Sequence, residues 1–92
     1  MNRSELIAAL SEETTFSKKD ITRVLDSLIR IVERKLKKGE KVSITGFGSF
    51  WVSKRSARKG INPVTKESID LPELTVPRFK AGKNLREVVR SI

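Results

Sequence analysis

Cysteine and histidine are both absent from the 92 residues. Without thiols there is no disulfide framework and no thiolate metal site. Without imidazole the usual general base and the commonest metal ligand are missing too, and no cofactor is expected. No stretch approaches the ~20 apolar residues of a membrane span. The opening Met1-Asn2-Arg3-Ser4-Glu5 holds no apolar run suited to a signal peptide, so the chain is expected to stay in the cytoplasm where it is made. Internal repeats, linkers and low-complexity tracts are lacking. An enzyme is not expected either: no convergent carboxylate pair is evident. Gly46-Phe47-Gly48 lacks the third glycine and the following helix of a dinucleotide site.

Acid is also scarce relative to base. Lys and Arg number 20 against 11 Asp and Glu, a net charge of +9. Residues 1–50 hold ten basic and seven acidic side chains, and residues 51–92 hold ten and four. The field therefore comes mostly from the C-terminal half and calls for a polyanionic partner, nucleic acid or an acidic membrane surface. A chain of this length is one domain at most. If roughly residues 55 to 74 project as an arm, about seventy remain for a body, a size at which one core often needs disulfides, metal or oligomerisation. With the first two unsupported, dimerisation is expected.

The N-terminal part reads as two helices. Asn2 can cap the first, with Glu5 placed for a capping-box exchange. Leu6, Ile7 and Leu10 form its apolar stripe, and Glu12-Glu13-Thr14-Thr15 ends it. Ser17 caps the second, Asp20 stands three residues on, and Phe16 and Ile21 are spaced for a hydrophobic staple. Ile21, Val24, Leu25, Leu28, Ile29, Val32 and Leu36 recur at three and four over about five turns, a stripe read as core. Lys35, Lys37 and Lys38 suit the negative end of the helix, and Gly39 suits a stop.

After Gly39 the period becomes two. Val42 and Ile44 alternate with polar residues as a strand with one buried face. Gly46-Phe47-Gly48 is a turn, and Ser49 to Lys54 a second strand with Phe50 and Val52 on one side and Ser49, Trp51 and Ser53 on the other. Trp51 is expected to be partly exposed or covered by a partner chain. If exposed, it offers a stacking surface to a base. Further on, Ile69 and Leu71 alternate along a returning strand in which Pro72 and Pro77 remove donors, so it must be an edge or be broken by bulges. Gly82-Lys83-Asn84 opens a last helix with Leu85, Val88, Val89 and Ile92 as apolar face. Its N-terminus beside Lys83 is a plausible phosphate site.

Between the second strand and the returning one lies Ala57-Arg58-Lys59-Gly60-Ile61-Asn62-Pro63-Val64-Thr65-Lys66. It has three cations, no acid, and only isolated apolar residues. Asn62-Pro63 is a turn signal and Gly60 is permissive. The simplest picture is a basic hairpin arm with Pro63 at its tip.

The order helix, helix, strand, strand, arm, strand, helix closely resembles the HU/IHF family of bacterial histone-like, DNA-bending proteins, and HU more than IHF. Three blocks carry the resemblance: Gly46-Phe47-Gly48-Ser49-Phe50, the arm from Ala57 to Gly60 with Asn62-Pro63 and Thr65, and Val76-Pro77 with Phe79-Lys80, Gly82-Lys83 and Leu85. The resemblance implies an α+β fold: two N-terminal helices, a three-stranded antiparallel sheet with a long β-hairpin arm, and a short C-terminal helix. It implies a single domain over residues 1–92, with a helical dimerisation base about 1–39 and the sheet, arm and last helix about 40–92. It implies an intertwined homodimer, or a pair of similar subunits, with Phe47, Phe50 and Phe79 as the dimer core.

In such proteins the arms lie in the minor groove and the tip proline wedges between base pairs, compacting and organising the bacterial chromosome in the nucleoid. That role maps onto Pro63, with Asn62 and Thr65 beside it, and this chain's own Lys66 adds a DNA-binding cation near the tip. The arm cations map onto Arg55, Arg58 and Lys59, and those of sheet and last helix onto Arg78, Lys80, Lys83 and Arg86. Partners would be double-stranded DNA, preferably bent, nicked or gapped, and a second copy. No small-molecule substrate is implied. The physics agrees: a ring without a donor cannot read a base edge but can enter a base step, and phosphate contacts carry no sequence information.

This chain departs from the family pattern at several positions. Ile61 stands where a cation usually precedes Asn62. Lys66 stands where glycine usually follows Thr65, and requires either a left-handed residue or a different turn. Trp51 replaces a commonly charged residue, and Ser53 and Glu73 also differ in charge from the usual. Two other readings are a site-selective IHF-like bending factor and an RNA-binding basic protein. The second fits composition but not the wedge, because A-form helices are read by shape and 2′-hydroxyls rather than by kinking.

Overall fold

A computed structural model describes residues 1–91, which form α1 (Arg3–Thr14), α2 (Lys18–Lys37), β1 (Val42–Ile44), β2 (Gly48–Arg55), β3 (Arg58–Ile61), β4 (Ser68–Leu71), β5 (Leu74–Ala81) and α3 (Lys83–Arg90). The chain divides into two compact units, one over residues 1–34 and one from Lys35 onward.

In the first unit both helix starts follow local side-chain chemistry. The Asn2 side chain accepts from the Glu5 N–H at 2.8 Å. Ser17 Oγ accepts from the Asp20 N–H at 3.1 Å. Each satisfies one of the donors that a helix leaves free in its first turn. Thr15 ends α1 with φ 66°, its N–H donating to the Ser11 carbonyl. The Ser11 hydroxyl in turn donates to the Phe16 carbonyl at 2.6 Å, and Arg3 pairs with Asp26 across the two helices.

The apolar stripe behaves differently from its reading as core. Ile21 is the only buried apolar side chain among the described residues. Val24 is 66% exposed, Leu28 and Ile29 are more than 40% exposed, and Phe16 at 62% is not folded away as a staple on Ile21 would require. The helical period is right, but among the described residues of that stripe Ile21 alone is buried, while Leu25, Val32 and Leu36 are half-buried.

In the second unit α2 ends as a Schellman turn. The Glu40 N–H reaches the Lys35 carbonyl and the Gly39 N–H the Leu36 carbonyl, both at 2.9 Å, with Gly39 at φ 79°. That positive φ costs glycine little, which is why glycine suits this position. Three strands then form an antiparallel sheet in the order β1-β2-β5, with Val42 opposite Phe50 and Phe50 opposite Phe79. Ile44, expected on a buried face, remains 36% exposed.

Close approach fixes the glycine that begins β2. A β-carbon at Gly48 would lie 2.5 Å from Phe79 Cζ and 2.6 Å from the Lys80 carbonyl oxygen. The Gly82 N–H donates to the Phe47 carbonyl at 2.8 Å and ties the turn to the start of α3.

The arm, β3 paired with β4, continues this sheet without a shift. Arg55 faces Leu74 at the end of one ladder, and Arg58 faces Leu71 at the start of the next. Two residues are skipped on each side, Ser56-Ala57 and Pro72-Glu73. Pro72 offers no N–H to the ladder, so the interruption falls where pairing cannot be made, and no bulge is needed. Pro77 stands opposite Val52 on β5, an edge strand, where a missing donor is tolerated. The segment Ala57–Lys66, which reads as turn-like in sequence, is strand over its first half. Ile92, assigned to the apolar face of α3, lies outside the described residues.

Candidate nucleic-acid interface

Paired residues of an antiparallel ladder project on the same side, and neighbours along a strand on opposite sides. Applied to β1-β2-β5, the register divides the sheet into two chemically distinct faces. One carries Val42, Ile44, Phe50, Val52 and Phe79, with Lys54 and Thr75 at its arm end. The other carries Ser43, Ser49, Trp51, Ser53, Arg55, Arg78 and Lys80, with Val76 and Leu74 beside Ser53 and Arg55.

On the first face Phe79 is the centre of an aromatic cluster, with ring centroids 4.8 Å from Phe50 and 5.5 Å from Phe47 in tilted geometry. Tilted pairs at this spacing add about 0.5–1.5 kcal/mol beyond their burial. The cluster is still open: Phe47 is 45% and Phe79 44% exposed.

The second face brings three of the candidate cations together. Arg78 stands directly opposite Trp51, and Lys80 opposite Ser49, whose hydroxyl is 3.1 Å from that of Ser43. Trp51 is half-buried, as expected for a ring on the wet side of a sheet. It lies among these cations, in the place where a stacking surface would have to be.

Along the arm the register separates residues that sequence groups as one basic run. Arg58 shares a face with Gly60, Ile69 and Leu71, whereas Lys59 shares the opposite face with Ile61, Ser68 and Asp70. Gly60 leaves room for the side chains across from it: a β-carbon there would lie 3.1 Å from Leu71 Cδ1. Asp70 stands directly opposite Lys59. The two stand eleven positions apart in sequence, so the acid-free run of the arm acquires an acidic neighbour only once the strands pair. No ion pair forms between them within 4.0 Å.

The tip is a closed loop over residues 62–67. The Asn62 N–H donates to the Glu67 carbonyl at 2.9 Å, and the Lys66 N–H to the Asn62 carbonyl at 2.7 Å. Asn62 Oδ1 accepts from the N–H groups of Val64 at 2.9 Å and Thr65 at 3.3 Å. Thr65 Oγ1 accepts from the Glu67 N–H at 3.4 Å. The carbonyl oxygen of the Asn62 side chain is therefore spent on shaping the loop, leaving its NH₂ for an outside partner. Lys66 takes the left-handed conformation at φ 59°; of the two options that sequence leaves open, the turn is kept and the strain accepted. Pro63 is exposed at the end of the arm.

The remaining candidates lie on α3. Gly82 caps it without a side-chain bond. Lys83 and Arg86 are exposed and one turn apart, and Arg90, absent from the sequence-based set, continues the same row another turn on. Its position at i+4 from Arg86 was the available signal.

A model of the family described as bacterial DNA-binding protein matches residues 1–90. The DNA-binding protein HU of Clostridium pasteurianum is 49% identical over 89 residues, which cover 97% of this chain and 98% of that protein. The DNA-binding protein HU 1 of Bacillus subtilis is 48% identical over 89 residues, 97% of each. Among solved structures, an Anabaena HU–DNA cocrystal structure is similar with a TM-score of 0.88 and 40% identity, covering 97% of both chains. HU from Thermotoga maritima is similar with a TM-score of 0.69 and 35% identity, covering 97% of this chain and 98% of that one.

Proposed function

We propose that the two-faced sheet and in-register arm form a device for bending duplex DNA; the chain belongs to the bacterial DNA-binding protein family of HU and IHF. The protein binds double-stranded DNA without reading a defined sequence and bends it, organising the chromosome. It is an architectural protein, and its place of action is the nucleoid in the cytoplasm. The observation that carries this reading is the division of the sheet: Arg55, Arg78 and Lys80 on one side, the Phe47-Phe50-Phe79 cluster on the other. One face is left for phosphates and the other for a protein partner.

That partner is a second copy. With one fully buried apolar side chain among its described residues, the chain leaves much apolar surface open to offset its folding entropy through a partner. The open helical stripe and the open aromatic cluster supply surface for a homodimer, with the helical base about residues 1–39 and the DNA-contacting part about residues 40–92.

On DNA, the sheet cations and Lys83, Arg86 and Arg90 take phosphates. A two-stranded ribbon with Arg58 on one face and Lys59 on the other suits a groove walled by two backbones. Pro63 enters a base step, which costs a few kcal/mol of unstacking, offset where the bent duplex meets more basic surface. Prior bending removes part of that cost, so nicked and gapped duplexes bind more tightly.

A gel-shift series at one fixed salt tests the wedge: intact and nicked duplex bound equally would sink it. If about eight cations of the dimer meet phosphates, log affinity falls with log salt at roughly −7, taking about −0.9 per phosphate; a flat dependence would remove the electrostatic footprint.

A further inference from the structure

The end of the arm is apolar to an extent that one wedge does not require. Val64 is 87% exposed and Ile61 70% exposed, on either side of Asn62-Pro63. Their exposure is not slack in a loose loop, because four hydrogen bonds centred on Asn62 hold the turn that presents them. Nothing else in the described chain covers either side chain, and no acid occurs between Ser56 and Lys66.

We propose that Ile61 and Val64 widen the Pro63 wedge, so that each arm covers an opened base step with apolar surface and thereby selects gapped over intact duplex. This rests on the DNA-bending reading and specifies which DNA the tip prefers. Bases that have lost a stacking neighbour expose apolar faces, and branched aliphatic side chains can cover them without offering a hydrogen bond to a base edge. A flat anionic surface such as a membrane fits less well. Arg58 and Lys59 point to opposite faces of the arm, so a single plane can engage only one of them. Position 61 carries no charge, so the gain in discrimination comes with one phosphate contact fewer per arm than a cation there would make.

The test uses the full-length protein with the double variant Ile61→Ser/Val64→Ser, which keeps Pro63 and alters only exposed side chains. Binding is measured to intact duplex and to duplex with a two-nucleotide gap, with 2-aminopurine beside the gap. Affinity for the gapped duplex should fall about tenfold, in line with burying two partly covered aliphatic side chains, while intact duplex changes less than about twofold. The fluorescence rise of 2-aminopurine on binding should be lost. The salt slope should stay the same, since no phosphate contact is removed. In the converse variant, Ile61→Arg, the slope should steepen by about 1.8 per dimer, at about 0.9 per added contact.

Equal losses on both duplexes, or unchanged gap preference in the serine variant, would overturn the proposal while leaving the bending function intact. Wild-type protein with no preference for the gapped duplex would instead defeat the bending function itself. Two findings would assign the tip elsewhere: DNA-free association beyond the dimer that the serine variant abolishes, or comparable loss of binding to anionic vesicles of phosphatidylglycerol.

Discussion

The sheet and the arm are two stretches of one antiparallel register, and they are stabilised in different ways. The sheet has three strands, an aromatic cluster on one face, and a glycine whose missing side chain lets Phe79 lie against it. The arm has two strands of four residues, half-buried Leu71 as its best-covered apolar side chain, and a loop fastened by one asparagine. Isolated two-stranded ribbons are marginal in water. The same backbone pairing thus gives a rigid platform where side chains can gather on one face, and an adaptable probe where they cannot. An arm that enters a groove gains from being the second kind.

The largest break in that contrast should come from the platform. Phe79→Ala removes the ring that both other phenylalanines touch, and should cost about 3 kcal/mol in urea denaturation of the dimer. A cost below about 1 kcal/mol would mean that the aromatic face stays wet and is not an interface.

Changes at the tip should leave that denaturation curve almost unmoved. Asn62→Ala deletes the acceptor of two backbone N–H groups and should loosen the loop by about 1 kcal/mol, as loss of a helix cap does. DNA affinity should drop about fivefold with the melting temperature constant; a drop in melting temperature of several degrees would show that arm and platform unfold together.

Lys66→Gly works in the other direction. It relieves a left-handed non-glycine residue, worth about 1 kcal/mol, and arm amides should exchange about fivefold more slowly in hydrogen–deuterium exchange. No change in exchange would show that the loop opens without needing residue 66 to leave that conformation.

The smallest effect is expected from Asp70→Asn. Removing the acid opposite Lys59 should raise affinity for intact duplex about twofold at low salt, the scale of a cross-strand charge pair, and the gain should vanish at high salt. A gain that persists at high salt would point to a change of shape rather than of charge.

Much of this was legible in sequence because it is local. Asn2 with Glu5, and Ser17 with Asp20, announce helix starts through contacts three residues long. Gly39 marks a stop for the same kind of reason. The change of period from three-and-four to two places the first strand correctly. Pro72 and Pro77 were readable as trouble for a strand, though not how it would be resolved: one interrupts the ladder and the other sits within it on an edge strand. Sequence also suggested a buried stripe on α2, because periodicity reports which residues share a face and not what covers that face.

What the chain determined by itself is the inventory: a +9 charge weighted to its C-terminal half, no residues for thiol or imidazole chemistry, capped helices, and a basic arm ending in Asn62-Pro63. These follow from residue type and short spacing, which need no fold to be true. Pairing alone decided which side chains act together. It set Arg55, Arg78 and Lys80 on the face opposite the phenylalanines, split Arg58 from Lys59, brought Asp70 across from Lys59, and turned Asn62 from a surface amide into the fastening of the tip. The first three of those relations depend on a register between paired strands, which backbone hydrogen bonding across the ladder fixes; the fastening by Asn62 is local to the turn that the pairing closes.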